Sequence, residues 1–276
     1  MDIDILTNSE RFREWYNSVG SRQGLSILLD HFHRSSSPEY REILWKAVLE
    51  LVLQENDLPT WRDELLKALS NELPQIRSQA LSALTDTATH LSNDLAVSHA
   101  VAQSLYDDSE HVRAKAIYAS SNFATRQLLS EIMDSLLDPE SYRSASDDPD
   151  RRYVWHSLFA LDQVVDRLAL NAQERDMISA RIDQVLSKLL EKPDRSKLDI
   201  WKVGDSLGEH VKGSQALGTL QKMFKNPDAV VRDSSVHGLG HIDGDHALRL
   251  IRAALSDADS EVREEARRAL AEAGYN

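Results

Sequence analysis

The chain has 276 residues, of which 41% are hydrophobic and 28% charged, and it contains no cysteine. This composition predicts a folded protein with a continuous apolar core, and it excludes disulfide bonds and thiolate metal sites. The formal net charge of -13 at pH 7 disfavours nucleic acid as a partner, because a phosphate backbone would be repelled, and favours a protein with a basic surface.

The first segment lacks the pattern of an export signal. Residues 1–18 read MDIDILTNSERFREWYNS, with acidic residues where a secretory signal has a basic start followed by an apolar core. No stretch approaches the run of about 18 apolar residues that a membrane-spanning helix needs. We expect a cytoplasmic protein without membrane contact, which begins with a capping helix over residues 1–21.

A short motif then recurs along the chain, in which Val-Arg follows an Asp or Asn placed six residues before the arginine. It is clearest in the pairs Val112-Arg113, Val231-Arg232 and Val262-Arg263. The same register places the second position of the motif at residues 41, 77, 113, 154, 201, 232 and 263, which lie 31 to 47 residues apart. This spacing is typical of stacked helical repeats. The predicted repeats are residues 22–56, 57–90, 91–124, 125–170, 171–212, 213–243 and 244–276.

Each repeat has the pattern of a helical hairpin, and the last repeat is the most regular. In its first half, Leu248, Ile251 and Leu255 recur at spacings of three and four, as in a helix with one buried face. Asp259 and Ser260 then mark a second helix, because short oxygen side chains accept hydrogen bonds from its free N–H groups. The second helices share an apolar stripe that includes small residues, which permit close helix approach: Ile76, Ala80, Ala83, Leu84; Val112, Ala116, Ala119, Phe123; Val231, Ser235, Gly238, Leu239, Ile242; Val262, Ala266, Ala269, Leu270, Ala273.

These residues resemble HEAT repeats, particularly the short bacterial type known from phycobilisome bilin lyases, whose units read roughly D-x-x-x-x-V-R-x-x-A-x-x-A-L. The resemblance covers most of the chain and is strongest in the third, sixth and seventh repeats. It implies an all-α fold, an α-solenoid of about seven helical hairpins, in one domain over residues 1–276. It also implies a ladder between neighbouring repeats, made by Asn71, Asp107, Asn226 and Asp257 with Arg41, Arg77, Arg113, Arg232 and Arg263.

Two repeats in the middle of the array depart from the pattern. In the fourth, residues 138–152, DPESYRSASDDPDRR, are an inserted loop before a second helix that starts late. The fifth has an extended first helix that begins near Asn171 and ends at Pro193, because proline breaks a helix, and Trp201 stands where arginine is expected. We expect the partner to contact these irregular repeats.

The face of the second helices opposite the apolar stripe predicts a binding surface. On this face Trp155 and Phe159 lie one turn apart, and Tyr118 lies on the second helix of the preceding repeat. Large exposed aromatic side chains ringed by polar residues are typical of binding hot spots. The predicted protein-binding residues on this exposed face are Tyr118, Trp155, Phe159, Asp162, Lys202, Glu209 and Asp233. The alternative is that the register slips in the fourth repeat, or that the loop 138–152 covers the rings.

No catalytic centre is predicted. The sequence has no nucleophile elbow and no glycine-rich phosphate loop, and it lacks the His-Glu pairs that HEAT-like iron hydroxylases carry. His237 and His241, four residues apart on one helix, are candidate metal ligands, but polar residues also collect at a helix end for structural reasons. We expect no cofactor, no metal and no enzymatic activity, with a lyase as the main exception.

The leading functional prediction is a non-enzymatic protein-binding scaffold or sequestering protein, because a solenoid offers an extended surface. One concrete form is a bacterial immunity or inhibitor-type protein that neutralises a basic partner. The resemblance implies, as an alternative, a phycobilin lyase or chromophore-chaperone subunit, with His156 and Arg152 near the aromatic pair. A third class is a HEAT-like DNA-binding or glycosylase protein. In that class Asp162 would be the acid and Trp155 and Phe159 the aromatic residues beside it, although the net charge disfavours binding to DNA.

Overall fold

The computed structural model describes the backbone of residues 2–54, 58–87, 91, 94–123, 125–138, 153–193 and 195–275, and the side chains of all of these except 21, 22, 53, 54 and 58–60. The described residues form α-helices, one π-helical turn and connecting segments, which confirms the predicted all-α class. The chain divides into two compact units, Met1–Ala119 and Ser120–Asn276; the single domain over 1–276 stays a prediction.

Unit 1 begins with two helices before its first hairpin. Its helices are α1 Ile3–Thr7, α2 Ser9–Val19, α3 Ser21–Arg34, α4 Pro38–Gln54, α5 Leu58–Ala68, α6 Pro74–Asp86, α7 Leu95–Ser104 and α8 Glu110–Ser120. Helix α3 packs on α4 and α5 packs on α6, while α4 also contacts α6. Two helices, α1 and α2, lie in residues 1–21, where one capping helix is predicted; the predicted repeat bounds stay a prediction.

Unit 2 continues the hairpin pattern. Its helices are α9 Arg126–Leu136, α10 Tyr153–Arg167, α11 Ala172–Leu190, α12 Lys197–Asp205, the π-helical turn Ser206–Val211, α13 Ser214–Phe224, α14 Ala229–Gly240, α15 Asp245–Ala254 and α16 Ser260–Glu272. The first helices α9, α11, α13 and α15 each pack on the second helix that follows. The second helices α10, α12, α14 and α16 also contact one another in that order.

Of the two irregular features predicted in the middle repeats, the structure describes the long helix but not the inserted loop. Residues 139–152 of the predicted loop lie outside the described residues. The long first helix is confirmed as α11, where Asn171 and Glu174 form a reciprocal capping box, and the helix ends at Leu190 before Pro193. The side-chain oxygen of Asn171 accepts from the Glu174 N–H at 3.0 Å, and the Asn171 N–H donates to Glu174 Oε2 at 2.9 Å.

The predicted apolar stripe of the second helices forms the core. Most of its predicted members are buried: Ile76, Ala80, Ala83 and Leu84; Val112, Ala116, Ala119 and Phe123; Val231, Ser235, Gly238 and Leu239; Val262, Ala266, Ala269 and Leu270. The prediction is wrong for Ile242, which is half-buried, and for Ala273, which is exposed, because both lie beyond the last residue of their helices. In the first helix of the last repeat, Ile251 is buried, but Leu255 remains 38% exposed. Leu255 is the C-cap residue of α15, at the point where the buried face ends. None of the helices in the described part of the chain is both long and apolar enough to cross a bilayer.

Helices α12 and α14 approach until their backbones touch. A Cβ atom added to Gly208 would overlap the carbonyl group of Gly238, and one added to Gly238 would overlap the carbonyl oxygen of Gly204. At the same crossing Ser234 Oγ donates to the Ile200 carbonyl at 2.6 Å and accepts from the Gly204 N–H at 3.2 Å. Gly238, a small residue of the predicted stripe, therefore allows the close approach of these helices.

Replacing Gly238 by Ala is expected to lower the free energy of unfolding by about 3 kcal/mol or more, because the new methyl group meets backbone atoms that cannot rotate away. The matched control is Gly218→Ala on α13, where nothing lies within 4 Å of an added Cβ. That change is expected to stabilise the chain by about 0.5–1 kcal/mol, as alanine has the higher helix propensity. Thermal and urea unfolding of both variants measure the difference; equal stabilities would contradict the close crossing.

The arginines of the motif join neighbouring repeats. Arg77 Nε and Nη2 donate to the two carboxylate oxygens of Asp107, both at 2.7 Å, and Arg232 binds Asp257 in the same bidentate way at 2.8 Å. Each arginine also donates to the carbonyl oxygen six residues before it, at 2.7 Å for Arg77 and 3.0 Å for Arg232. Arg113 and Arg263 make the same carbonyl contact, at 2.8 and 2.7 Å. The predicted ladder is confirmed for the two Arg–Asp rungs.

Other rungs differ from the prediction. Arg41 pairs with Glu72 rather than with Asn71, because the neutral Asn71 amide oxygen accepts from the Leu73 N–H at 3.0 Å. Asn226 is likewise used locally, since its side-chain oxygen accepts from the N–H of Asp228. In this part of the array, where Trp201 replaces arginine, Arg195 supplies the ion pair to Asp228. A carboxylate is therefore needed for a side-chain rung between repeats.

Arg232→Lys tests the ladder. Lysine keeps the positive charge but cannot donate to both Asp257 oxygens and to the backbone carbonyls together, so we expect a loss of about 1–3 kcal/mol in unfolding free energy. The control is Arg267→Lys, whose side chain is 58% exposed beside Glu264, with an expected change within about 0.5 kcal/mol. A loss at Arg232 no larger than at Arg267 would count against a stabilising ladder.

Candidate functional site

The second helices of unit 2 carry a connected series of charged side chains, called here the ionic network. It runs along the predicted binding face from α10 through α12, the π-helical turn and α14 to α16. In order along the network, its residues are Asp166, His210, Asp162, Lys202, Asp205, His237, Glu265 and Arg268. Acids and bases alternate for most of its length, so that each charge has an opposite charge beside it.

Lys202 lies at the centre of the network. Its Nζ is 2.6 Å from Asp162 Oδ2 and 2.5 Å from Asp205 Oδ2, and all three side chains are at most 9% exposed. Ser206 Oγ donates a further hydrogen bond to Asp162 Oδ2 at 3.0 Å. Burial alone would lower the pKa of Lys202, but the Asp162 carboxylate outweighs burial and raises it. The ammonium group is therefore charged at neutral pH.

Asp162 is the carboxylate of this arrangement whose charged form is disfavoured by burial. Its side chain is 1% exposed, and its Oδ1 has no hydrogen-bond partner among the residues that the structure describes. Burial raises the pKa of Asp162 to about 6, against the opposing attraction of Lys202 and His210. At neutral pH the group is an ionised carboxylate that is stabilised by Lys202.

His237 joins two carboxylates from different helices. Its Nε2 lies 3.3 Å from Asp205 Oδ1, and its Nδ1 lies 2.9 Å from Glu265 Oε1. Burial alone would lower the pKa of His237, but the hydrogen bonds to Asp205 and Glu265 raise it to about 9. The same contacts outweigh burial at both acids and hold the pKa values of Asp205 and Glu265 below their usual range. His237 is therefore an imidazolium at neutral pH.

His210 lies near one end of the network, and Asp233 lies beside the network. His210, on the π-helical turn, places Nδ1 2.9 Å from Asp166 Oδ2 and Nε2 3.8 Å from Asp162 Oδ2. Asp233 is half-buried on α14, and burial raises its pKa to about 6, with further contributions from the charges of Glu265 and Glu261.

The predicted aromatic pair lies next to Lys202. The rings of Trp155 and Phe159 stack with centroids 5.4 Å apart and planes 6° from parallel, and both side chains are half-buried. Lys202 Nζ lies 6.0 Å from the Trp155 centroid and 5.8 Å from that of Phe159, within the range of cation–π attraction. Tyr118, the third predicted aromatic residue, is 50% exposed and belongs to unit 1.

The prediction that Asp162 and Lys202 are exposed on this face is wrong. Both are buried, because the second helices pack closely side by side and the two side chains pair with each other. Glu209 is exposed as predicted, with half of its side-chain surface accessible, and Asp233 is half-buried. Glu209 and the aromatic pair therefore lie beside the buried residues of the ionic network.

Five members of the network were not among the predicted site residues: Asp166, Asp205, His210, Glu265 and Arg268. A helix wheel treats each helix alone, so it cannot show that acids on one helix face bases on the next. The three-residue spacing of Lys202 and Asp205 was a usable signal, because residues at this spacing share a helix face. The predicted pair His237 and His241 is brought together, with ring centroids 5.1 Å apart.

Comparisons with known proteins agree with this architecture. Residues 182–271 match the sequence model of HEAT repeats. An engineered protein solved by the Northeast Structural Genomics Consortium is 18% identical, with a TM-score of 0.52 over 92% of this chain and 69% of that one. Kap121p bound to Nup53p is 16% identical, with a TM-score of 0.59 over 98% of this chain and 30% of that one. No curated protein sequence matches significantly.

These similarities confirm the predicted resemblance to HEAT repeats and the α-solenoid fold class. A mutant Kap121p gives the same result, with 15% identity and a TM-score of 0.60 over 98% of this chain and 32% of that one. The chain spans about a third of the length of the Kap121p chains that it resembles.

Lys202→Met tests the ionic network. Methionine fills a similar volume but leaves Asp162 as a buried carboxylate without its main counter-charge, so we expect a loss of about 3–5 kcal/mol in unfolding free energy. The double variant Lys202→Met with Asp162→Asn removes both charges and is expected to recover more than half of that loss. The control Lys222→Met, at a side chain that is 66% exposed beside Asp183, should change stability by no more than about 0.5 kcal/mol. Urea unfolding at pH 7 would contradict the network if Lys202→Met behaved like Lys222→Met.

Proposed function

We propose that this chain, in which residues 182–271 match HEAT repeats, is a non-enzymatic scaffold or sequestering protein that binds a basic protein partner. The partner is proposed to contact the second helices of unit 2. The observation that carries the proposal is the stacked, half-buried pair of Trp155 and Phe159 beside the ionic network.

The aromatic pair has the properties of a binding anchor. Trp155 and Phe159 are already stacked and fixed on one helix, so little side-chain entropy is lost when a partner covers them. Aromatic residues at the centre of a polar surface contribute a large share of the binding energy in many interfaces. The buried ionic network holds α10 and α12 together beneath the pair and thus provides a rigid support.

The charge of this face favours a basic partner. The bases Lys202 and His237 are each held between two carboxylates of the network. The acids Asp166 and Glu209 keep half of their side-chain surface exposed, and Glu264 on α16 keeps 66%. Arg268 and Arg267 on α16 are also exposed, at 59% and 58%, so the acidic part of this surface is the part formed by Asp166 and Glu209 beside the aromatic pair. Its charge agrees in sign with the net charge of -13 and would speed the approach of a positively charged protein.

The solved relatives support protein binding as the function of such a fold. Kap121p has been crystallised with Nup53p and with the extreme C-terminus of the protein phosphatase Cdc14p. Both complexes place a protein partner on a solenoid to which this chain is similar. An immunity or inhibitor-type role, in which the chain neutralises a basic partner, is the specific form that we propose for this binding.

The geometry counts against the glycosylase alternative. In that class an accessible acid would act beside the aromatic residues, yet Asp162 is fully buried and paired with Lys202. For the lyase alternative, Arg152 lies outside the described residues. His156 is half-buried beside Trp155, at a centroid distance of 5.3 Å, which is a packing contact. Neither alternative gains a specific observation.

The double variant Trp155→Ala with Phe159→Ala is expected to lose the partner in affinity purification followed by mass spectrometry. The partner found with the unaltered chain should be basic, and its apparent Kd should rise at least about 100-fold for the double variant, as two anchor residues are removed. The melting temperature of the variant shows whether the rings act as anchors or as core. A fall of more than about 8 °C, the effect of losing more than 2 kcal/mol in a chain of this size, would assign them to the core.

Two further variants separate anchoring from charge. Tyr275→Ala removes an aromatic side chain that is 48% exposed elsewhere in unit 2, and should leave binding unchanged. Glu209→Lys should weaken binding mainly through a slower association rate, with a smaller effect at high salt. An acidic partner, or a partner retained by the double aromatic variant, would overturn the proposal.

A further inference from the structure

Three potential metal ligands converge where α12 meets the end of α14. His237 and His241 lie one turn apart on α14, and Asp205 is the last residue of α12. One ligand atom from each of the three lies within 4.8 Å of the other two. His241 and His237 are half-buried and Asp205 is buried, so the group lies at the edge of the helix interface with access from solvent.

The distances suit a tetrahedral ion. Two ligands bound at about 2.0 Å to a tetrahedral zinc ion lie roughly 3.3 Å apart, and Asp205 Oδ1 lies 3.3 Å from His237 Nε2. The histidine rings are in edge-to-face contact, with centroids 5.1 Å apart. A ligand atom of His241 lies within 4.8 Å of ligand atoms of both other residues, which places it near a third corner of such a tetrahedron.

The neighbours of these three residues hold them in place. Glu265 Oε1 lies 2.9 Å from His237 Nδ1, and a carboxylate on the second nitrogen is the usual support of a zinc-binding histidine. The ring of Trp201 packs on His237 at a centroid distance of 4.5 Å and restricts its rotation. Lys202 binds Asp205 Oδ2, which leaves Oδ1 directed at His237.

A second group of potential ligands, Asp162, Asp205 and His210, lies nearby. There the ammonium of Lys202 already stands between the two carboxylates, so positive charge is supplied by the chain itself. At the first group the ammonium reaches only Asp205 Oδ2, while Asp205 Oδ1 faces His237 Nε2. A cation bound between Asp205 and the two histidines would take the place of the proton on His237 Nε2, which is released to solvent. Two imidazole nitrogens and one carboxylate oxygen suit zinc better than magnesium or calcium.

We propose that Asp205, His237 and His241 bind a divalent transition metal ion of the zinc class, with a water molecule at the fourth position. The ion would join α12 to α14 and so clamp the second helices of the fifth and sixth repeats. This site is independent of the proposed protein partner, and either proposal can fail without the other.

The test uses the full chain without an affinity tag, treated with EDTA and then titrated with ZnCl2 by calorimetry. We expect one saturable site and a rise in melting temperature, with no effect of MgCl2 at the same concentration. With CoCl2 in place of ZnCl2, intense visible absorption bands are expected from a four-coordinate ion. Absence of saturable zinc binding would overturn the proposal.

His241→Ala is the decisive variant, because His241 makes no ion pair in the network and its loss should leave the metal-free melting temperature nearly unchanged. We expect zinc affinity to fall at least about 30-fold, as one of three ligands is lost. The matched control His246→Ala, five residues further along the chain and outside the group, should bind zinc normally. If His241→Ala failed to fold, His241→Gln would replace it. Zinc affinity that is unaffected by the loss of His241 would contradict the assignment.

Discussion

The ammonium group of Lys202, held between Asp162 and Asp205, is the interaction on which the proposed functional face of unit 2 depends. The glycine contacts between α12 and α14 bring these helices together, and charged side chains in such a place must be paired because solvation by water is lost. Lys202 meets this requirement for both carboxylates at once. Its position then fixes Asp205 toward His237, and His237 toward Glu265, so that one buried base orders the face across three repeats.

This arrangement explains why the irregular repeats differ from the regular ones. In regular repeats the arginine of the motif binds Asp107 or Asp257 at the turn between helices. Where Trp201 replaces that arginine, Arg195 supplies the rung to Asp228, and Lys202 and Asp205 of the second helix join the ionic network. The same replacement puts an aromatic ring against His237. A surface with fixed rings and excess acid is the result, and the proposed binding function follows from that surface.

The repeat pattern made the helices, their buried stripe and the Arg–Asp rungs predictable, because these features depend on spacing within one repeat or on a motif repeated at a fixed interval. Val231 and Gly238 illustrate this, since both are buried where the wheel placed them. The ionic network was not predictable in the same way. Whether Lys202 faces solvent or Asp162 depends on how closely α10 and α12 pack. Whether Asp205 meets His237 depends in the same way on the close crossing of α12 and α14 at Gly204, Gly208 and Gly238. Residues 44 positions apart, such as Asp162 and Ser206, leave no local signal of their contact.

The most direct test is a measurement of the pKa of His237 in the metal-free chain. Nuclear magnetic resonance records its imidazole signals between about pH 5 and pH 10, and the variant His237→Gln identifies which signals belong to it. The account predicts a pKa of about 9, against 6.5 for an ordinary histidine. Because the pKa is raised by folding, the associated stability is fully present below pH 6.5 and is lost as pH rises through 9. A His237 that titrated near 6.5, with stability unaffected between these pH values, would show that no positive charge is held between Asp205 and Glu265, and would contradict the account.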